Sequence, residues 1–130
     1  MNSTQKKLQL SFHEGILSLK FNENVVVETE DVIYVHCYAF EQSRGKPYGM
    51  LFDSSSKHEI SEEAMAHLGE SNYMDNISAM AYVSKDLISK IRLKLLLIFE
   101  RPKVTPKIFD NEQEAYSWLK QQVNCQSLTL

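Results

Sequence analysis

The sequence predicts an α/β domain with a mixed, mostly parallel β-sheet and helices packed on it. Near its start the chain has two segments in which apolar and polar residues alternate, and short continuous apolar runs follow. Stretches with helical periodicity separate these strand-like segments. The predicted order is β-β-α-β-α-β-α-β-α. Strands that alternate with helices favour parallel pairing through right-handed crossovers. We expect two layers, the sheet and the helices that cover it.

The first two strands are predicted to form a β-hairpin. Residues Leu8–Phe12 and Leu17–Phe21 read LQLSF and LSLKF, and this alternation is typical of strands with one buried face. Gly15 lies between them and can adopt the positive φ that a tight hairpin turn requires.

A helix is predicted from Thr29 to about Gln42. Thr29 is a suitable N-cap, and the two acidic residues after it lie at the positive end of the helix dipole. Gly45 is the candidate C-cap. We expect His36 and Cys37 to be packed, because neighbouring helix residues point about 100° apart and do not form a catalytic pair. The predicted apolar face consists of Val32, Ile33, His36, Cys37 and Phe40.

Two further strands are predicted to be covered on both faces. Tyr48–Phe52 and Ile77–Val83 are continuous apolar runs, which is typical of buried parallel strands. Between them lies a polar loop, Asp53–Ile60, and then Ser61, which can cap a helix that runs to about Gly69.

The last third of the chain predicts a helix, a strand and a helix. The first helix covers Lys85–Phe99. The strand, Val104–Phe109, is expected at a sheet edge because Pro106 cannot donate a hydrogen bond to a neighbour. A capping box of Asp110 and Gln113 opens the final helix. The final helix carries Ala115, Trp118 and Leu119 on one side, and residues 124–130 are expected to be a loose tail.

Composition excludes several function classes. The net charge of −3 argues against general nucleic-acid binding, which needs clustered Lys and Arg. Cys37 and Cys125 are far apart, and neither they nor the four histidines show metal-ligand spacing, so no metal site and no cofactor are predicted. The start of the chain lacks a secretory signal, and the longest apolar run, Leu95–Phe99, is too short to span a bilayer. We therefore expect a cytoplasmic protein.

Residues 83–119 contain a distinctive succession of motifs. It comprises Val83-Ser84, a long apolar helical segment, Arg101-Pro102, Pro106, Ile108-Phe109, Glu112, Glu114-Ala115 and Trp118-Leu119. This succession and the order of elements resemble the STAS/Sec14-like superfamily, whose best-known members are bacterial anti-sigma-factor antagonists. The closer resemblance is to small bacterial single-domain members without an assigned function. It implies one STAS/Sec14-like domain over residues 1–123 and no particular ligand.

The loop after the first buried strand supplies the candidate ligand or partner residues. Open α/β sheets place ligands at the carboxyl ends of their strands. No G-x-S-x-G motif is present, so a partner surface or a solvated loop is expected and no catalytic residue is predicted. The candidates are Asp53, Ser54, Ser55, His58 and Ser61.

Ser61 has two interpretations. Antagonists of the resembled family carry a phosphorylated serine at the start of the helix after the first buried strand, and the matching position implies this role for Ser61. The residues themselves indicate an N-cap, because serine is a preferred cap. Glu62 and Glu63 follow, where the family motif has a glycine, and their charges would repel a phosphate.

The segment Lys85–Phe99 is apolar over more than one helical face. Its second face can be covered by another subunit, by the protein's own fold, or by a lipid, and we favour another subunit because C2 dimers are the commonest closed assemblies. The predicted function is a non-catalytic interaction or regulatory module that acts as a homodimer. The alternative is a carrier of a small apolar or lipid-like ligand. The candidate dimer face consists of Leu93, Leu96, Leu97 and Phe99.

Overall fold

The computed structural model describes residues 6–70, 75–86 and 106–128, with the backbone alone at 68–70 and 125–128. These ranges contain seven strands and three helices. None of the described helices is long and apolar enough to cross a membrane. The elements in chain order are β1 Leu8–His13, β2 Ile16–Phe21, β3 Val25–Val27, α1 Thr29–Ser43, β4 Tyr48–Asp53, β5 His58–Ile60, α2 Glu62–Glu70, β6 Ile77–Val83, β7 Lys107–Phe109 and α3 Glu112–Leu128.

The main sheet has the strand order β1-β2-β4-β6-β7. Strand β1 is antiparallel to β2, whereas β2, β4, β6 and β7 run parallel to one another. The predicted mixed, mostly parallel sheet that opens with a hairpin is therefore confirmed. The strand expected before the last helix is confirmed as β7, at one end of the described sheet.

The hairpin turn has the geometry that the sequence predicts. Gly15 has a φ of 79° and Glu14 a φ of 53°. Two successive positive φ values in a two-residue loop are typical of a type I′ turn, whose twist matches the twist of the flanking strands. The turn sets the register in which Leu8 lies opposite Phe21 and His13 opposite Ile16.

A second, two-stranded sheet was not predicted. Strands β3 and β5 pair in parallel, with Val25 opposite His58 and Val27 opposite Ile60. Each strand has three residues, too few for an alternating pattern to be read from the sequence. The polar loop expected at Asp53–Ile60 therefore ends in a short strand.

Helices cover both faces of the main sheet, so the expectation of two layers was wrong. Adjacent strand residues point to opposite faces. Ile16 belongs to the cluster that contains Leu119 of α3, whereas its neighbour Leu17 belongs to the cluster that contains Ala39 of α1. The sheet therefore forms the middle layer, between α1 and α3.

Gly49 of β4 lets α3 lie close to the sheet. A Cβ atom at this position would lie 3.1 Å from Val123 Cγ2 and 3.4 Å from Leu119 Cδ2. Both neighbours belong to α3, and 3.1 Å is shorter than a comfortable carbon–carbon contact. The glycine is therefore explained by the close packing of α3.

The N-terminus of α1 is anchored by a buried ion pair. Glu28, not Thr29 as expected, is the N-cap, and it shares a capping box with Asp31. The fully buried carboxylate of Asp31 accepts hydrogen bonds from Glu28 N at 2.8 Å and from Lys7 Nζ at 2.9 Å. Lys7 Nζ also donates to Val26 O. This ion pair therefore fastens α1 to the start of β1.

The predicted apolar face of α1 was wrong in part. The buried residues are Asp31, Ala39 and Ser43, whereas Cys37 is exposed and His36 is half-buried. Burial lowers the pKa of the His36 imidazole. Both sides of this helix carry apolar residues, so the periodicity alone does not select the inner one. The small Ala39 allows a closer approach to the sheet than a large side chain would.

The helix ends differ slightly from their predicted positions. The first left-handed residue after α1 is Arg44, with Gly45 next in the same region, so Gly45 is not itself the C-cap. Asn111, not Asp110, caps α3, because its Oδ1 accepts a hydrogen bond of 2.8 Å from Glu114 N. Helix α3 continues to Leu128, where a loose tail was expected from residue 124.

Several predictions fall outside the described residues. Most of the helix expected at Lys85–Phe99 lies there, and with it the whole candidate dimer face of Leu93, Leu96, Leu97 and Phe99. The predicted helix from Ser61 is confirmed as α2, and the predicted buried strands are confirmed as β4 and β6.

The substitution Asp31→Asn is expected to lower the free energy of unfolding by about 2 to 3 kcal/mol, because it removes the charge that pairs with the partly buried Lys7 ammonium. Urea unfolding followed by circular dichroism measures this loss. Glu30→Gln is the matched control, since Glu30 is exposed in the same helical turn, and its effect should stay below about 1 kcal/mol. Equal losses from the two variants would contradict an anchoring role for Asp31.

Candidate functional site

Three parallel strands of the main sheet end level with one another. Lys20 of β2 lies opposite Asp53 of β4, and Asp53 lies opposite Val83 of β6. The loops that follow β4 and β6 therefore meet at this edge. This is the carboxyl edge of the sheet, where open α/β sheets place their ligands.

Asp53 organises the first turn of the loop. Its side chain is largely buried, and its Oδ1 accepts hydrogen bonds from Ser55 N at 3.0 Å and from Ser55 Oγ at 2.6 Å. Such a carboxylate-centred turn is common after a strand. Lys20 Nζ lies 4.0 Å from Asp53 Oδ2, so the positive charge is close to the carboxylate but at the limit of an ion pair.

Ser54 fastens the end of β4 to the end of β6. Both its backbone N and its Oγ donate to Val83 O, at 2.9 Å and 2.8 Å. Ser84 N in turn donates to Phe109 O of β7. Hydroxyl and amide groups therefore continue the hydrogen-bond ladder of the sheet beyond the ends of the strands. The Ser54 hydroxyl proton is engaged in one of these structural hydrogen bonds.

Ser56 and His58 lie deeper in the loop. Ser56 is buried, and its Oγ has no hydrogen-bond partner among the described residues. His58 Nδ1 lies 3.1 Å from Ser56 O, so in the neutral ring Nδ1 carries the proton. The imidazole also packs against two rings, with centroid distances of 5.0 Å to Phe21 and 5.7 Å to Phe52. His58 thus closes the aromatic cluster beneath the loop.

Ser61 is positioned by the small sheet. Its backbone N donates to Val27 O at 3.0 Å, and its Oγ accepts from Ala64 N at 3.1 Å. This is the N-cap bond that the sequence predicted, and it satisfies one of the free N–H groups of α2. Glu62 and Glu63 follow on the exposed surface.

The structure brings together part of the predicted site. Asp53 and Ser55 are directly hydrogen-bonded. Ser61 instead follows the short strand β5 and is held by its hydrogen bond to β3. The described hydrogen bond of His58 goes to a backbone carbonyl, not to a serine hydroxyl. The arrangement is therefore a hydrogen-bonded loop with accessible polar groups.

A polar groove on the outer face of the hairpin was not predicted. Its volume is about 250 Å³. The alternation of Gln9 with Ser11 and of Ser18 with Lys20 could have revealed this face, because polar residues two apart share one side of a strand. The approach of α3 could not be read from the sequence. The groove is lined by Gln9, Leu10, Ser11, Ser18, Leu19, Lys20 and Glu112.

The substitution Ser61→Ala is expected to lower the free energy of unfolding by about 1 kcal/mol, because the N–H of Ala64 loses its acceptor. Ser61→Asp should cost less, since aspartate is also a good cap. Thermal and urea unfolding of both variants make the comparison. A larger loss for Ser61→Asp than for Ser61→Ala would contradict the capping role.

Comparison with solved structures supports the fold described above. One match is the crystal structure of an uncharacterized protein from the DUF3478 family with a SpoIIAA-like fold, from Shewanella loihica PV-4. It is 16% identical, with a TM-score of 0.64, and the match covers 86% of this chain and 91% of that chain. The expected STAS-type fold is therefore confirmed, and at this identity the likeness concerns the fold alone.

Comparison of the sequence with known proteins gives a family without a function. No curated protein matches the chain. A model of a domain of unknown function, DUF7793, matches residues 10–123. Because this match covers most of the sequence, the chain belongs to the DUF7793 family and has a SpoIIAA-like, STAS-type fold.

Proposed function

We propose that this protein is a non-catalytic, cytoplasmic interaction or regulatory module that binds other proteins and acts as a homodimer. The observation that carries the proposal is an apolar stripe on the outward side of α1. The stripe consists of Ile33, Cys37 and Phe40, and all three are exposed.

The alignment of these residues distinguishes the stripe from scattered surface apolar residues. Positions separated by four and seven residues lie on one line along a helix, and Ile33 and Phe40 are therefore about 10 Å apart along the axis. Phe40 is 57% exposed, which is unusual for a large aromatic side chain. Aromatic residues in exposed apolar patches are typical of protein-binding surfaces.

Elements beside or paired with those next to α1 also carry exposed apolar residues. Strand β3 directly precedes α1, β5 pairs with β3, and α2 packs beside α1. Each contributes one exposed apolar residue. These are Val26, Ile60 and Met65.

The loop at the carboxyl edge supports a binding role more than a chemical one. The Ser54 hydroxyl donates to a backbone carbonyl, which cannot act as the base that a nucleophilic serine needs, and the Ser55 hydroxyl is part of the turn that Asp53 organises. Lys57 and Glu59 are exposed in the same segment and can contact a partner. We propose this loop, with Asp53, Ser54, Ser55, His58 and Ser61, as a second partner surface.

Self-association is proposed from the sequence of residues 85–99. Leu93, Leu96, Leu97 and Phe99 widen the apolar arc of this segment, and a second copy can cover them. The alternative function, a carrier of a small apolar ligand, would need an apolar cavity. The groove described on the hairpin is lined largely by polar side chains and does not favour it.

The substitution Phe40→Glu is expected to weaken partner binding by about tenfold or more, because it replaces the aromatic side chain at one end of the apolar stripe with a charge. Proteins captured from an extract of the producing organism by the immobilised wild-type chain and by the variant can be quantified by mass spectrometry. Gln42→Glu is the matched control, since Gln42 is exposed on the same helix but off the stripe. Equal recovery with all three chains would contradict a binding role for the stripe.

The substitution Leu96→Glu is expected to convert a dimer into a soluble monomer, because a buried interface does not tolerate an unpaired carboxylate. Native mass spectrometry of gently purified protein reports the subunit count and any retained ligand together. An unchanged dimer would contradict the assignment of this face. A monomer that carries an apolar ligand would instead favour the carrier function.

A further inference from the structure

The two ends of the main sheet differ in how they resist pairing with another chain. Strand β7 has three residues, follows Pro106 and carries an exposed lysine, Lys107. Short length, proline and lysine are the usual features that protect an edge strand. Strand β1 has six residues in unbroken register with β2, and from Leu8 to Phe12 it contains neither a charge nor a proline.

The outward backbone groups of β1 can be assigned from one hydrogen bond. Asn22 N donates to Lys7 O at 2.8 Å, so Lys7 and Asn22 form a hydrogen-bonded pair of the antiparallel ladder. Such pairs alternate along a ladder. The N–H and C=O groups of Leu8, Leu10 and Phe12 therefore point away from β2, and no described strand pairs with them.

We infer that the outer edge of β1 pairs antiparallel with β1 of a second copy of this chain, with the twofold axis at Leu10. This inference rests on the homodimer of the proposed function and names a different contact for it. In this register Leu10 faces Leu10 of the partner copy, and Leu8 faces Phe12 of the partner copy. About six backbone hydrogen bonds would then form, two for each hydrogen-bonded pair.

The side chains of β1 are self-complementary in this register. Leu8, Leu10 and Phe12 lie on the face that packs towards α1, so apolar side chains meet apolar side chains across the axis. On the opposite face Gln9 meets Ser11 of the partner copy, and no charged residues face each other between Leu8 and Phe12. A shift by one residue would place apolar residues opposite polar ones, and a shift by two would lose one of the three hydrogen-bonded pairs.

Pairing through β1 would not extend the described sheet beyond two copies. Joining two five-stranded sheets through β1 leaves β7 at both outer ends of the combined sheet. Both ends are then short, preceded by proline and charged, so neither offers a template for a third copy. A twofold contact of this kind is closed.

Exposed residues on the polar face of β1 allow a test that spares the fold. Gln9 and Ser11 are both exposed, and in the inferred register position 9 of one copy faces position 11 of the other. The double variant Gln9→Lys/Ser11→Lys places lysines opposite each other twice. Gln9→Lys/Ser11→Glu is the matched control, because it places a lysine opposite a glutamate and differs at one exposed position.

Sedimentation velocity over a concentration series would compare the two variants with the wild-type chain. We expect the lysine–lysine variant to raise the dimer Kd by about tenfold, and the lysine–glutamate variant to stay within about threefold of wild type. Both variants carry Gln9→Lys opposite Lys20 of the same hairpin, so any loss of stability from that contact is shared. Thermal unfolding should therefore be alike for both variants. Equal Kd values for the two variants, or a weaker dimer for the lysine–glutamate variant, would overturn the inferred register.

Adding the Leu96→Glu variant to the same concentration series separates the β1 contact from the dimer face of the proposed function. A dimer that responds to Leu96→Glu and not to the lysine–lysine variant would overturn the β1 contact and retain the homodimer. A dimer that responds only to the lysine–lysine variant would support the β1 contact. A wild-type chain that stays monomeric at all concentrations would overturn both. A tetramer that each variant reduces to a dimer would support both contacts.

Discussion

Strand β4 lies between two parallel neighbours, and this position constrains the rest of the fold. Its backbone groups bond to β2 on one side and to β6 on the other, so its side chains on both faces must be removed from water. Leu51 points to the face that α3 covers, and Tyr48 belongs to the cluster that α1 covers. The two helices therefore lie on opposite faces because the central strand requires cover on each. Gly49 lets one of them come close enough to provide it.

The same arrangement determines what the carboxyl edge can do. Parallel strands that end level leave unpaired backbone groups at the same height, and the residues that follow must satisfy them. Ser54 does so with both its amide and its hydroxyl, and Asp53 uses its carboxylate to turn the chain. Among the described residues, structural hydrogen bonds therefore occupy much of the usual ligand position of an α/β sheet. This is why the proposed function rests on surfaces and not on a cavity.

The sequence predicted the elements whose signals are local. The alternation of the hairpin, the glycine of its turn and the apolar runs of β4 and β6 each depend on a few adjacent residues. Strands β3 and β5 were missed because each has three residues and pairs with a partner more than 30 positions away. The choice of the Glu28 cap was missed as well, since it depends on Asp31 reaching back to the backbone and on Lys7, which lies just before β1. The loop of Asp53, Ser54 and Ser55 was located by its position after a buried strand, but the bonds that occupy its hydroxyl groups depend on where β6 ends.

The rotation of α1 links the stability of the fold to its exposed surface. Asp31 is buried against Lys7, and this ion pair and the packing of Val35 and Ala39 hold the same side of the helix against the sheet. Ile33 follows two positions later, and residues two apart on a helix point about 200° away from each other. Inward placement of Asp31 and Ala39 therefore directs Ile33, Cys37 and Phe40 outward. A helix with apolar residues on both sides could have buried either one. The buried Asp31 carboxylate and the packing of Val35 and Ala39 together give the physical reason why Phe40 is presented to solvent.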